Sequence, residues 1–120
     1  MIIETQDVND TKIAEVISDV IVINKIEDGV DMVGNLYCQG FDKIIIHEKN
    51  ITPDFFDLKS GIAGEILQKF STYRIRLAIV GDFSKFTSKS LKDFIYESNK
   101  GRQVNFVLTC SEAKKNLSSI

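Results

Sequence analysis

Lys43-Ile44-Ile45-Ile46, Leu77-Ala78-Ile79-Val80 and Val104-Asn105-Phe106-Val107-Leu108 are the three runs that decide the fold. Each is short, β-branched and almost continuously apolar, which is how a strand covered on both faces reads. Two similar runs come earlier, Lys12-Ile13-Ala14-Glu15-Val16-Ile17 and Val20-Ile21-Val22-Ile23, and Ile2-Ile3-Glu4 offers one more strand at the start. The charges within residues 12–17 mark an edge or half-exposed strand. Helical patterns fill the gaps. Ile26, Val30, Val33 and Tyr37 share one helical face, and Gly40 supplies a stop behind them. Ile62, Ile66 and Phe70, with Ala63 and Leu67 beside them, make a second stripe. Leu91, Phe94 and Ile95 make a third, which Thr87 or Ser88 can cap and Gly101 can end. Ser111-Glu112-Ala113 reads as the cap and first turn of a short final helix.

From Lys43 onward strand alternates with helix, and connections of that length suit parallel strands joined by right-handed crossovers. The expected architecture is α/β: a mostly parallel sheet of four or five strands with an antiparallel N-terminal edge and helices packed on it, in the order β-β-α-β-α-β-α-β-α.

A length of 120 residues suits one α/β domain spanning residues 1–120. With 43% hydrophobic and 27% charged residues, the composition is that of a soluble globular protein. No apolar run approaches the ~20 residues of a membrane-spanning helix. Met1-Ile2-Ile3 is followed by Glu4 rather than by a basic segment and a long apolar stretch, so no signal peptide is expected and the protein is expected to be cytoplasmic. Cys38 and Cys110 lie far apart without CxxC spacing, which predicts reduced thiols, with Cys38 buried in an apolar helical pattern. The net charge of −2 argues against general nucleic-acid binding. The charge is uneven, however. Residues 1–31 carry eight acids and two lysines, and residues 74–102 carry seven bases and three acids, an asymmetry that can steer a charged partner.

Ligands of open α/β sheets tend to sit beyond the carboxyl ends of the strands. Three such ends carry polar groups here: His47-Glu48-Lys49-Asn50, Gly81-Asp82-Phe83-Ser84-Lys85 and Thr109-Cys110-Ser111. If the strands are parallel, these groups gather on one rim. His47, the only histidine, beside Glu48 has the chemistry of a general base. Neighbours along a strand point to opposite faces, though, so adjacency does not pair them, and a structural role at a strand end competes. With one histidine and no clustered ligands in the sequence, no metal site is expected, and no cofactor. Ser60-Gly61-Ile62-Ala63-Gly64 opens the second helix, where its glycines serve close packing or backbone approach to a ligand. There is no GxxxxGK[ST], GxGxxG or GxSxG motif. Lys85 or Lys89 could hold an anion at the start of the third helix. Equally, Ser88 can simply cap that helix while Phe83 and Phe86 fill the edge of the core.

His47-Glu48-Lys49-Asn50, Phe55-Phe56-Asp57-Leu58-Lys59-Ser60-Gly61-Ile62-Ala63-Gly64-Glu65, Gly81-Asp82-Phe83-Ser84 and Asp93-Phe94-Ile95-Tyr96-Glu97-Ser98-Asn99 resemble a family of small bacterial proteins catalogued as a domain of unknown function. That resemblance covers nearly the whole chain. It implies a stand-alone cytoplasmic protein and brings no catalytic residues with it. The element order and Leu58-Lys59-Ser60-Gly61-Ile62-Ala63-Gly64 also resemble the STAS domain of sulfate transporters and anti-sigma-factor antagonists. In that domain the corresponding segment reads Asp-Ser-Ser-Gly-Leu-Gly and one serine is phosphorylated. Ser60 and Gly61 match its last Ser-Gly, Leu58 and Lys59 replace the Asp and the serine usually modified, and Ala63 is an insertion.

The favoured expectation is a non-catalytic regulatory module that binds another protein, not a membrane or nucleic acid. Its binding residues would be His47, Glu48, Ser60, Gly61, Asp82, Ser84, Lys85 and Ser88. The alternative is a small-molecule binder or small enzyme in which His47, Glu48 and Asp82 converge on one pocket.

Overall fold

The computed structural model describes residues 1–119. Strands β1 (Ile2–Val8), β2 (Thr11–Ile17), β3 (Lys43–His47), β4 (Arg76–Val80) and β5 (Val104–Val107) form one sheet in the order β1-β2-β3-β4-β5. β1 and β2 are antiparallel, and every later neighbouring pair is parallel. The helices are α1 (Ile26–Cys38), α2 (Ile62–Thr72), α3 (Lys89–Lys100) and α4 (Cys110–Ser118). The expected α/β architecture is therefore present.

The antiparallel pair differs in detail from the expectation. The partner of β2 is Ile2–Val8, and Val20–Ile23 is not a strand. A two-residue turn joins β1 to β2, with Asn9 at φ 51° and Asp10 at φ 63°. Two left-handed residues in succession match the right-handed twist of a hairpin, and Asn and Asp tolerate that conformation. Residues 18–23 instead follow the rim of the sheet, pinned by Asn50. Its Nδ2 donates to the carbonyls of Ser18 and Val20 (2.8 Å each), and its own carbonyl accepts from the backbone N–H groups of Val22 and Ile23. Ile23 is buried and bridges Ile51, whereas Val20 and Ile21 are exposed. The apolar run reflects anchoring at one end rather than a paired strand. With β1 outside it, β2 is an inner strand and not an edge.

Strand alternation sorts the core into two layers. Ala14, Val16, Ile44, Ile46, Leu77, Ile79, Val104 and Phe106 face α1, α2 and α3. Ile13, Ile45, Ala78, Val80 and Val107 face the other way, against Ala113 and Leu117 of α4. A strand order that never reverses, joined by crossovers of one hand, places the three connecting helices on the same face. Only the helix after the last strand is free to cover the other. Arg76 holds α4 there through its guanidinium, which donates to the carbonyls of Asn116 (2.9 Å) and Leu117 (3.4 Å).

α1 buries Gly29, Met32, Val33 and Leu36, a face rotated from the expected one. Tyr37 is exposed and packs on Tyr73, with ring centroids 5.0 Å apart. Cys38 is exposed too, not buried as its pattern suggested. The rotation follows from Gly29, where a Cβ would stand 2.7–2.9 Å from three side-chain carbons of Ile66 in α2. Only the hydrogen of glycine lets the two helices approach so closely. Gly40 ends α1 as expected, at φ 87°, with its N–H on the Tyr37 carbonyl and that of Phe41 on the Leu36 carbonyl. Gly64 is unlike Gly29, because a Cβ there would meet nothing within 4 Å, so it is not a packing glycine.

The two glycines therefore predict opposite outcomes in urea or thermal unfolding. Gly29→Ala overpacks a contact with fully buried Ile66 and should destabilise by about 1–3 kcal/mol. Gly64→Ala improves an open helical position and should stabilise by about 0.5–1 kcal/mol.

Candidate functional site

The parallel strands do bring their polar tips to one rim, and the sheet divides those tips between its two faces. His47 extends the Ile45 side of β3, and Glu15 extends the Ile13 side of β2 on the adjacent parallel strand. Both therefore project toward the start of α4, where Cys110 is the first helical residue and the Thr109 hydroxyl caps the Glu112 N–H at 3.1 Å. Glu15 Oε2 lies 2.9 Å from His47 Nε2 and 3.4 Å from Cys110 Sγ, and Sγ is 3.7 Å from the same Nε2. The second Glu15 oxygen accepts from Gln6 Nε2 on β1 at 3.2 Å. Among the described residues this is a compact group of potential metal donors, all three ligand atoms lying within 4.8 Å of one another. The absence of clustered ligands in the linear sequence is thus reversed by the fold.

Glu15 retains only 8% of its accessible surface. Burial raises the pKa of its carboxyl, but hydrogen bonds from His47 and Cys110, with the charges of His47 and Lys114, outweigh that and leave it below the ordinary value. Burial and the adjoining Glu15 carboxylate push the Cys110 thiol up. A raised thiol with a carboxylate beside it is a poor nucleophile. The His47 ring also meets Glu15 and Cys110 through one nitrogen, whereas a catalytic relay uses its two nitrogens on different partners.

Glu48 turns away from this cluster. It forms an ion pair with Lys85 at the opposite side of the rim. A Cβ on Gly81 would lie 2.6 Å from the Glu48 Cβ, so the glycine keeps that contact possible. The Asp82 carboxylate accepts from the N–H (3.0 Å) and hydroxyl (2.6 Å) of Ser84, which lowers its pKa and closes the short turn Phe83–Lys85. The Ser88 hydroxyl caps α3 by accepting from the Leu91 N–H at 3.3 Å. Ser60 donates to the Asp54 carbonyl at 2.7 Å and accepts from the Ile62 N–H, and Gly61 turns the chain into α2 at φ 80°. His47, Glu48 and Asp82 are thus engaged with separate partners and form no joint acid–base group.

A cavity of about 340 Å³ lies on the three-helix side of the rim. Pro53, Phe56, Asp57, Lys85, Phe86, Thr87, Ser88 and Leu91 line it. Phe56 stacks on Phe86 with centroids 4.9 Å apart, which makes the floor aromatic. Of the residues expected to bind, Lys85 and Ser88 border this cavity, and Ser60 is tied to it through Asp54 in the adjoining turn Pro53–Phe56.

Sequence reasoning missed Glu15 as a site residue and quoted Cys110 without assigning it a role. One signal was present. Glu15 shares its side of the strand with Ile13, and a charge between buried aliphatics on an inner strand must find a partner.

Fold and site define a small α/β domain with a polar cluster on one face of its sheet and an aromatic groove on the other. A family model described as a domain of unknown function, DUF4180, matches residues 8–117, and the chain belongs to that family. Neither the curated proteins nor the solved structures yield a match. No helix among the described residues is long and apolar enough to cross a membrane.

The Glu15 shift predicts a pH dependence. A carboxyl with a lower pKa folded than unfolded stabilises the fold fully above its unfolded value, and that contribution is lost as the pH falls through the folded value. Urea midpoints measured in the presence of chelator should therefore fall less steeply below about pH 4.5 in Glu15→Gln than in the native chain.

Proposed function

We propose that the protein is a non-catalytic regulatory module that takes a short apolar segment of another protein, with an acidic residue beside it, in the groove between the turn Pro53–Phe56 and the start of α3. The observation that carries this reading is the groove itself, with an aromatic floor of Phe56 and Phe86 and a lip of Lys85, Thr87 and Ser88. Interfaces draw most of their energy from apolar anchors in such pockets, with polar groups around the margin. Lys85 pairs with Glu48 but keeps 54% of its side chain exposed at the groove, where it can meet an acidic group of the partner. The wider run of bases in residues 74–102 does not make a track for a phosphate backbone, because five of the seven are bonded within the chain. Arg76 and Arg102 donate to backbone carbonyls, and Lys85, Lys89 and Lys100 pair with Glu48, Asp93 and Glu97.

The resemblance of residues 58–64 to the STAS segment supports the same reading. Ser60 stands at the opening of α2 and touches the turn that lines the groove, so a phosphate on it would place negative charge at the groove margin. An enzyme built on His47, Glu48 and Asp82 finds no support, because the three groups have separate partners.

The test is selection from a displayed peptide library on the full chain. Peptides recovered should combine an apolar anchor with an acid and should bind Thr87→Glu at least about tenfold more weakly, a loss of about 1.4 kcal/mol. Thr87 is exposed, so the fold should be unaffected. Recovery of no binders, or of binders indifferent to Thr87→Glu, would refute the reading.

A further inference from the structure

We infer that Glu15, His47 and Cys110 form a zinc site, with one carboxylate oxygen, one imidazole nitrogen and one thiolate as its protein ligands. The proposal rests on three side chains from β2, β3 and α4 aiming one donor atom each at a common point. Tetrahedral zinc, with bonds of about 2.0–2.1 Å to N and O and about 2.3 Å to S, sets its ligand atoms roughly 3.3–3.6 Å apart. Here the O···N, O···S and N···S separations are 2.9, 3.4 and 3.7 Å. Small side-chain adjustments bring all three to the edges of one tetrahedral face.

The donor set is that of zinc rather than of calcium or magnesium, which take oxygen ligands. Charge favours the ion as well. On binding, the Cys110 thiol gives its proton to solvent and its sulfur bonds to the metal. The thiolate and the carboxylate together then balance the two positive charges. His47 and Cys110 are partly exposed, so water can reach the site and fill the fourth position. Three protein ligands with one open position is the arrangement of a zinc ion that can still bind a further molecule. The supports are rigid, since Glu15 and His47 lie on adjacent strands and Cys110 opens a helix clamped at its far end by Arg76. This inference does not depend on the groove, which lies on the other side of the sheet.

The experiment is cobalt substitution of the full chain after chelator treatment, followed by competition with zinc. One equivalent of Co²⁺ should give a near-ultraviolet thiolate-to-cobalt charge-transfer band and the intense visible bands of a tetrahedral ion, and Zn²⁺ should abolish both. Cys110→Ser should lose the charge-transfer band, and Cys38→Ser should keep it. Zinc affinity should fall more than about 100-fold in Cys110→Ser and in Glu15→Gln, beyond the loss expected of a residue outside the coordination shell. Circular dichroism establishes that each variant is folded, and if Glu15→Gln is not, the near-isosteric Cys110→Ser decides. Absence of the band in the native chain, its survival in Cys110→Ser, or its loss in Cys38→Ser would overturn the proposal.

Discussion

Parallel pairing of β2, β3, β4 and β5 in unbroken order is the constraint on which the molecule depends. It commits α1, α2 and α3 to one side of the sheet and leaves the other to a single nine-residue helix. It also sends the carboxyl ends of these four strands to the same rim, so residues distant in the chain become neighbours. Glu15 and Cys110 are 95 positions apart and in contact. The same order limits what the rim can do. Crevices in doubly wound sheets open where the strand order reverses, and this parallel series has no reversal. The rim accordingly carries a polar cluster on one side and a surface groove on the other, rather than one central cleft.

The separation of His47 from Glu48 is the clearest expression of strand geometry in the site. His47 lies on the side of Ile45 and meets Glu15, whereas Glu48, one residue on, begins a short 3-10 turn and meets Lys85. A single peptide unit decides which layer each belongs to. Two neighbours that look like an acid–base pair in the sequence therefore serve two different surfaces.

The last three strands, β3, β4 and β5, and the helices between them were legible because each is an apolar run or stripe set off by polar residues, which tertiary contacts reinforce. What could not be read depended on single contacts. Val20–Ile23 has strand composition, but the hydrogen bonds of Asn50 hold it along the rim. The face of α1 turns because Gly29 meets Ile66, a contact between residues 37 positions apart, and Cys38 is exposed in consequence. Within the site, the capping role of Ser88 and the rim position of Lys85 were accessible from local sequence. The union of Glu15, His47 and Cys110 required the strand order and the return of α4, neither of which any local motif encodes.

The seal over Ile13, Ile45 and Ala78 comes from a segment synthesised after all five strands. On the ribosome each strand can dock on the edge left by its predecessor, but that side of the growing sheet stays greasy and bare until residues 110–118 emerge. Translation thus imposes an interval in which sticking to other chains competes with completing the fold.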